Sequence, residues 1–201
     1  MKSRALIAEL FGTFILTTAV LTSINNPGFP VPTPVIAGLT IGLLVYTIGP
    51  ISGCHINPAI TVGLFSIGRI DIRDAGAYIV AQFAGSVLAM MLGNIFFSSP
   101  TELVVNGAPL TGLAELFGTV LLGFAVASVV VGRVSANLSG LVIGSGLLLG
   151  ISFAATQSNG VLNPAVALGI GSLGHTYVWG PLGGALIGAF IANFFANEKM
   201  A

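Results

Sequence analysis

Two short stretches hold most of the polar chemistry of this chain. Asn57-Pro58-Ala59 follows Ser52-Gly53-Cys54-His55-Ile56, and Asn163-Pro164-Ala165 follows Ser158-Asn159-Gly160-Val161-Leu162. Asparagine is a good helix N-cap and proline suits the first helical position, so each stretch reads as a polar loop turning into a short helix. A capping Asn uses its side-chain oxygen on the backbone and keeps its amide N–H as a donor. Two carboxylates, Glu9 and Glu115, stand inside apolar runs, where an ionisable group is costly and marks function. They are expected to accept backbone N–H groups of the two polar loops, with His55 as a further support. Cys54 and His55 are a thiol and a base, but they are neighbours in one loop with no carboxylate beside them in sequence, so hydrolytic chemistry is not expected. A single cysteine excludes an intrachain disulfide and a cysteine metal cluster. No metal or cofactor is implied.

The elements that position these residues must sit in a membrane. The chain has 201 residues, 55% hydrophobic and 6% charged, against about 25% charged in soluble domains. Zero net charge gives no reason to expect nucleic acid. Six apolar runs, near 4–24, 33–50, 74–97, 111–132, 138–156 and 177–196, are long enough to span a bilayer. The first contains Glu9 and lacks a clear Ala-x-Ala exit, so it reads as a retained span, not a signal peptide. Turn chemistry separates the runs: Asn25-Asn26-Pro27-Gly28, Gly68 to Arg73, Ser98-Ser99-Pro100, Gly132 to Ser135 and Gly171 to Gly174. The segments 57–67 and 163–172, about ten residues each, reach across half a membrane. A polar loop at membrane depth is tolerated only where protein buries it or it lines a water-filled cavity.

Sidedness and repetition follow from counting. The basic residues are Lys2, Arg4, Arg69, Arg73, Arg133 and Lys199. With six spans all of them fall on one side, which the positive-inside rule makes the cytoplasm, with both termini there. Ala8-Glu9-Leu10-Phe11-Gly12-Thr13 recurs as Ala114-Glu115-Leu116-Phe117-Gly118-Thr119, an offset of 115 − 9 = 106. Asn57 and Asn163 share it, since 163 − 57 = 106. Three spans per half make the copies antiparallel, so halves of about 1–100 and 107–201 form an inverted repeat with a shared site at the midplane. Later, Gln82 and Gly85 correspond to Pro181 and Gly184 at an offset of 99.

The paired Asn-Pro-Ala motifs, with Ala-Glu-x-x-Gly-Thr in spans one and four and Ala81-Gln82-x-x-Gly85 in span three, resemble the aquaporin or major intrinsic protein family over nearly the whole chain. The resemblance implies an all-α integral membrane fold: six transmembrane helices plus two re-entrant half-helices in an inverted repeat, forming one channel domain over 1–201. It implies that Asn57 and Asn163 point amide N–H groups into a pore, and that Pro58 and Pro164 stack at its centre. Two half-helix N-termini meeting there would repel cations. It also implies a homotetramer, and Gly184 and Gly188 have the spacing of a close helix contact, either between copies or within the protomer. His55 is expected to donate to a loop carbonyl, with the cytoplasmic vestibule as its alternative place. Cys54 is expected on the pore limb, where a mercurial reaching it would block conduction, or else is a small packing residue.

One position departs from the family. The arginine usual after the second Asn-Pro-Ala is Val166 here. Carried over from each Asn, the outer selectivity filter is Ala37, Ile151, Gly160 and Val166, without a charge or a side-chain donor. Replacing an aromatic residue and an arginine by Ala and Val is expected to widen this constriction unless a neighbour fills it. A bacterial arsenic-resistance-associated branch has an aliphatic residue at the same place. The expected function is a passive channel, not an enzyme, for water and small neutral solutes: glycerol-like polyols and, on that branch resemblance, arsenite or other metalloid hydroxides. The alternative is a structural or closed-pore protein of the same fold with little flux. The expected surroundings are a lipid bilayer, a prokaryotic cytoplasmic membrane in view of the short loops, and no nucleic acid.

Overall fold

The computed structural model describes residues 3–26, 28–97 and 103–197. Lys2, Lys199, Pro27 and the Ser98-Ser99-Pro100 turn lie outside the described residues. The described chain is helical: α1 (Ser3–Ile24), α2 (Thr33–Ser52), α3 (Pro58–Ser66), α4 (Ile72–Phe96), α5 (Pro109–Val130), a 3-10 turn (Ala136–Leu138) leading into α6 (Ser139–Ala154), α7 (Pro164–Gly169) and α8 (Thr176–Asn197). Six of these segments are long and apolar enough to cross a membrane, and each lies within two residues of the expected run.

The two short helices are unequal. Both start as the sequence predicts, at Asn N-caps in extended conformation followed by proline. Helix α3 has nine residues, but α7 has six, not the expected ten. At about 1.5 Å per residue α7 rises only ~9 Å. The reason is the position of a stop signal. Gly68 and Gly171 both adopt positive φ, which glycine reaches without a β-carbon penalty. Each closes a Schellman motif: Arg69 N–H donates to the Leu64 carbonyl, and Ser172 N–H to the Ala167 carbonyl. Gly68 comes 68 − 57 = 11 residues after its Asn, Gly171 only 171 − 163 = 8.

The half-helices are held mainly by the opposite half of the chain. Helix α3 packs chiefly on α8, and α7 on α4. Small residues permit this. A β-carbon on Gly63 would come within 2.9 Å of the Ala185 carbonyl oxygen, and one on Gly169 within 2.6 Å of Ser86 Oγ. Bilayer lipid is as apolar as leucine, so such close packing, not apolar burial, drives helix association here. Long helices pair the same way. Helices α2 and α6 cross where Gly38 and Gly144 face one another, each leaving room only for the other's carbonyl. Gly85 of α4 abuts the backbone of α1 at Leu10, and Gly184 of α8 abuts α5 at Leu116. Gly188 meets α5 at Val120 and Phe124. Of the two readings of Gly184 and Gly188, these contacts are the one within the protomer.

Candidate pore

The N-termini of α3 and α7 meet and exchange hydrogen bonds. Asn57 Oδ1 accepts from Ala59 N at 2.8 Å, while its Nδ2 donates to the Leu162 carbonyl at 2.9 Å. Asn163 Oδ1 accepts from the backbone N–H of Ala165 and Val166, and its Nδ2 donates to the Ile56 carbonyl at 2.9 Å. Each amide therefore caps its own helix and grips the loop before the other. A side-chain NH2 has two hydrogens, so one N–H per Asn remains for a molecule beside it.

Buried carboxylates hold both loops in shape. Glu9 Oε1 accepts from Ser52 Oγ at 2.6 Å and from His55 N at 2.9 Å. Its Oε2 accepts from Ile56 N at 2.6 Å and Gln82 Nε2 at 2.8 Å. Glu115 accepts from Ser158 Oγ (2.7 Å), Val161 N (3.0 Å) and Leu162 N (2.7 Å). Both side chains are fully buried. The loops need this support because Cys54, Ile56 and Leu162 have positive φ, at 53°, 40° and 58°. That region is unfavourable for a side chain with a β-carbon, most of all for a β-branched one such as isoleucine. The twist turns the N–H of Ile56 and Leu162 toward a glutamate and the carbonyl toward the opposite asparagine. Glu9–Ile56–Asn163 and Glu115–Leu162–Asn57 are thus continuous relays across the midplane.

Several of these partners carried too little chemical signal to be picked from the sequence. Ser52 and Ser158 bridge each glutamate to the backbone N–H of Cys54 and Gly160, and they recur at 158 − 52 = 106. Thr61 Oγ1 donates to the Asn57 carbonyl and accepts from Gln82 Nε2. Its proton is thereby used, so His55 Nδ1, 3.2 Å away, is the donor toward it. His55 meets this hydroxyl and the edge of Tyr78, with ring centroids 5.2 Å apart, and not the loop carbonyl expected for it. Thr61, one turn into α3, presents its hydroxyl to the ring. Among the described residues Glu115 has no counterpart of Gln82, because Pro181 occupies that place in α8. Cys54 is buried among the apolar core residues. Pro58 and Pro164 are buried at the first positions of their helices, as are Ala59 and Ala165 beside them.

Two cavities follow one another from the asparagines outward. The first, about 20 Å³, reaches Asn57 and Asn163 and is lined also by Leu16, Ala37, Ile41, Leu122 and Leu147. The second, about 90 Å³, opens past Thr33, Asn159 and Gly160. Val20, Ile151, Val161 and Val166 line both and so form the ring between them. Of the four filter positions, Ile151 and Val166 stand in this ring. Ala37 faces the inner cavity and Gly160 the outer one. No lining side chain among the described residues is charged. Val20 of α1 and Val161 of the loop stand in the ring beside Ile151 and Val166, and the inner cavity has room for about one water.

Six spanning helices around two half-helices whose capped N-termini meet beside a water-sized cavity define a membrane channel. A family model described as Major intrinsic protein matches residues 1–195. Among curated proteins, the chain is 33% identical to aquaporin NIP1-1 of Arabidopsis thaliana, over 94% of this chain and 72% of that one. It is 34% identical to Nodulin-26 of Glycine max, over 94% and 76%. Among solved structures, the aquaglyceroporin from Plasmodium falciparum superposes with a TM-score of 0.74 at 22% identity, covering 96% of this chain and 95% of that one. The chain belongs to the major intrinsic protein family, the aquaporins. It is a multi-pass membrane protein and a passive channel for water and small solutes, not an enzyme.

Proposed function

We propose that this channel conducts water together with small neutral solutes of glycerol or urea size, neutral metalloid hydroxides such as arsenite among them. The observation that carries this reading is Val166, buried in the ring where the family usually has arginine. Its ring partners Val20, Ile151 and Val161 are apolar as well, so a solute crosses the ring without a fixed charge and without a side-chain donor. A charged ion would be desolvated there without compensation, whereas a neutral hydroxyl compound loses far less. The inward-facing amides of Asn57 and Asn163, with the partial positive charge of their helix N-termini, then offer donors and oppose cations. Glu9, Glu115 and His55 act by holding the two loops, and the chain works as one channel domain of two inverted halves.

Stopped-flow light scattering on proteoliposomes tests this with water, glycerol and arsenite side by side. Val166→Arg narrows the ring and lowers glycerol and arsenite flux more than water flux. Equal reduction of all three, or of none, would remove Val166 from the filter. Well-folded protein without any solute flux would favour a closed-pore structural role.

The assembly and its orientation belong to the same proposal. Arg4, Arg69, Arg73 and Arg133 lie at one end of the spans, which supports cytoplasmic termini. Short connections support a prokaryotic cytoplasmic membrane, and family membership supports a homotetramer with a pore in each protomer. Chemical cross-linking in the membrane gives a four-rung ladder if so, and a lone protomer band if not.

A further inference from the structure

A third, larger cavity lies beside the pore and outside its path. It measures about 480 Å³, within the range of about 300–1,000 Å³ usual for small-molecule sites. Neither pore asparagine lines it, and neither does any of the four filter positions or the other ring residues. Leu103 and Ile170 line both this cavity and the outer pore cavity, and so form the partition between them. Two long helices end at it. Asn25 directly follows α1, Asn94 stands in the last turn of α4, and Phe97 is the C-cap of α4. The early end of α7, at Gly169, adds a further wall. The last carbonyls of a helix have no partner within it and carry roughly half a negative charge. Among the described residues no lining side chain is charged, so none of them neutralises the two ends.

The inverted half of the chain shows what such a junction takes. Helix α5 is the counterpart of α1, since they end at Val130 and Ile24 and 130 − 24 = 106. Helix α8 is the counterpart of α4. Just past α5, the Arg133 guanidinium donates to the Phe195 carbonyl in the last turn of α8. A cation thus sits on the paired helix ends. In the first half the same offset, 133 − 106 = 27, gives Pro27 in the sequence, so no guanidinium follows α1 there. The space differs as well. Gly63 and Ala189 correspond to Gly169 and Met90, since 169 − 63 = 106 and 189 − 90 = 99, and the gap they line is about 0 Å³. The junction of α1 and α4 therefore has the electrostatics of a cation site, no described cation, and room for a ligand. Its walls include the Phe97 ring and the Met90 thioether. These suit a methylated ammonium, which an aromatic face attracts, better than a bare metal ion.

We propose that the cavity between the ends of α1, α4 and α7 binds an organic ammonium group, either the choline-type headgroup of a lipid at this end of the spans or a small soluble quaternary ammonium ion. The helix-end carbonyls supply the negative potential, and Phe97 and Met90 contact the methyl groups. Asn94, exposed at the rim, is the position from which the charge of the site can be changed without disturbing packing.

The test is a thermal-melt titration of delipidated protein in non-ionic detergent. The probes are choline and its neutral carbon isostere dimethylbutanol, with sodium chloride matching the ionic strength. At ten times its Kd choline raises the melting temperature by about 3–6 °C, and the isostere binds about tenfold more weakly. Asn94→Lys weakens choline binding about tenfold by placing a like charge at the rim. Asn193→Lys, at the equivalent place since 193 − 94 = 99, adds the same charge at the opposite end of the spans and leaves binding within about twofold. If Asn94→Lys is not monodisperse, Asn94→Asp takes its place and strengthens binding several-fold. Nanodiscs of phosphatidylcholine or phosphatidylglycerol, read by native mass spectrometry, separate the two sources. A phosphatidylcholine retained by each protomer, with no phosphatidylglycerol retained, identifies a lipid headgroup. Equal choline affinity in both nanodiscs identifies a soluble cation. Equal stabilisation by the neutral isostere, or choline binding that neither Asn94 variant changes, overturns the site. So does a choline shift no larger than that of sodium chloride together with no preference for phosphatidylcholine. None of these readouts depends on flux, so their failure leaves the channel reading untouched.

Discussion

Replacing either buried glutamate by glutamine isolates the value of the loop clamps, because the substitution keeps the volume and changes only charge and donor pattern. In Glu115→Gln the new amide nitrogen must take the place of Oε1 or Oε2. At Oε2 it faces the N–H of Leu162, and at Oε1 the N–H of Val161. The Ser158 hydroxyl can rotate to accept from it, but a backbone N–H cannot, so either orientation strands one buried amide. Glu9→Gln behaves alike. Gln82 can flip to present its oxygen, which has no partner among the described residues, yet Ile56 N or His55 N is still left facing a donor. Losing one hydrogen bond to a charged acceptor and orphaning its donor costs about 3 kcal/mol. At about 2–4 °C per kcal/mol for a chain of this size, the melting temperature falls by roughly 6–12 °C in each variant. The two falls should be similar despite the extra Gln82 contact on Glu9. Flux falls as well, because Leu162 and Ile56 carry the carbonyls that hold the pore asparagines. Detergent-solubilised protein followed by thiol-independent light-scattering melts, with stopped-flow water permeability in parallel, reads both effects. Melts within about 1 °C of wild type and unchanged flux would refute the clamp argument.

Two further predictions concern packing and the thiol. Gly85→Ala places a methyl group against the backbone of α1 at Leu10, which cannot move aside as a side-chain tip could, and destabilises by about 3 kcal/mol. Gly76→Ala in the same helix has open space around it and is stabilising by about 0.4–1 kcal/mol; thermal melts that rank the two variants the other way would contradict the contacts described. A mercurial that reaches Cys54 blocks conduction. Because the thiol is buried, the block develops slowly, and Cys54→Ala abolishes it. Water flux that stays constant through prolonged mercury exposure would take Cys54 off the pore limb and leave it a packing residue.

The sequence by itself determined the class of molecule. A chain with so few charges cannot cover a soluble surface with polar groups, and each run of about twenty apolar residues became a spanning helix. The helix starts at Asn57 and Asn163 were legible because capping is local: an Asn, a Pro and an apolar run suffice. Tertiary structure decided what those starts do to one another. That Asn57 bonds Leu162 and Asn163 bonds Ile56 depends on contacts over about a hundred residues, which no local pattern encodes. It also decided the partner of His55, the early end of α7 at Gly171 and the use of Gly184 and Gly188 inside the protomer. The pore wall was least visible in advance. Val20, Leu16, Ile41, Leu122 and Leu147 are ordinary aliphatic residues in apolar helices, and nothing in their chemistry separates a side chain facing the pore from one facing lipid. Only the packing of four helices around two half-helices selects them, so the family could be read from the chain while the width of its channel could not.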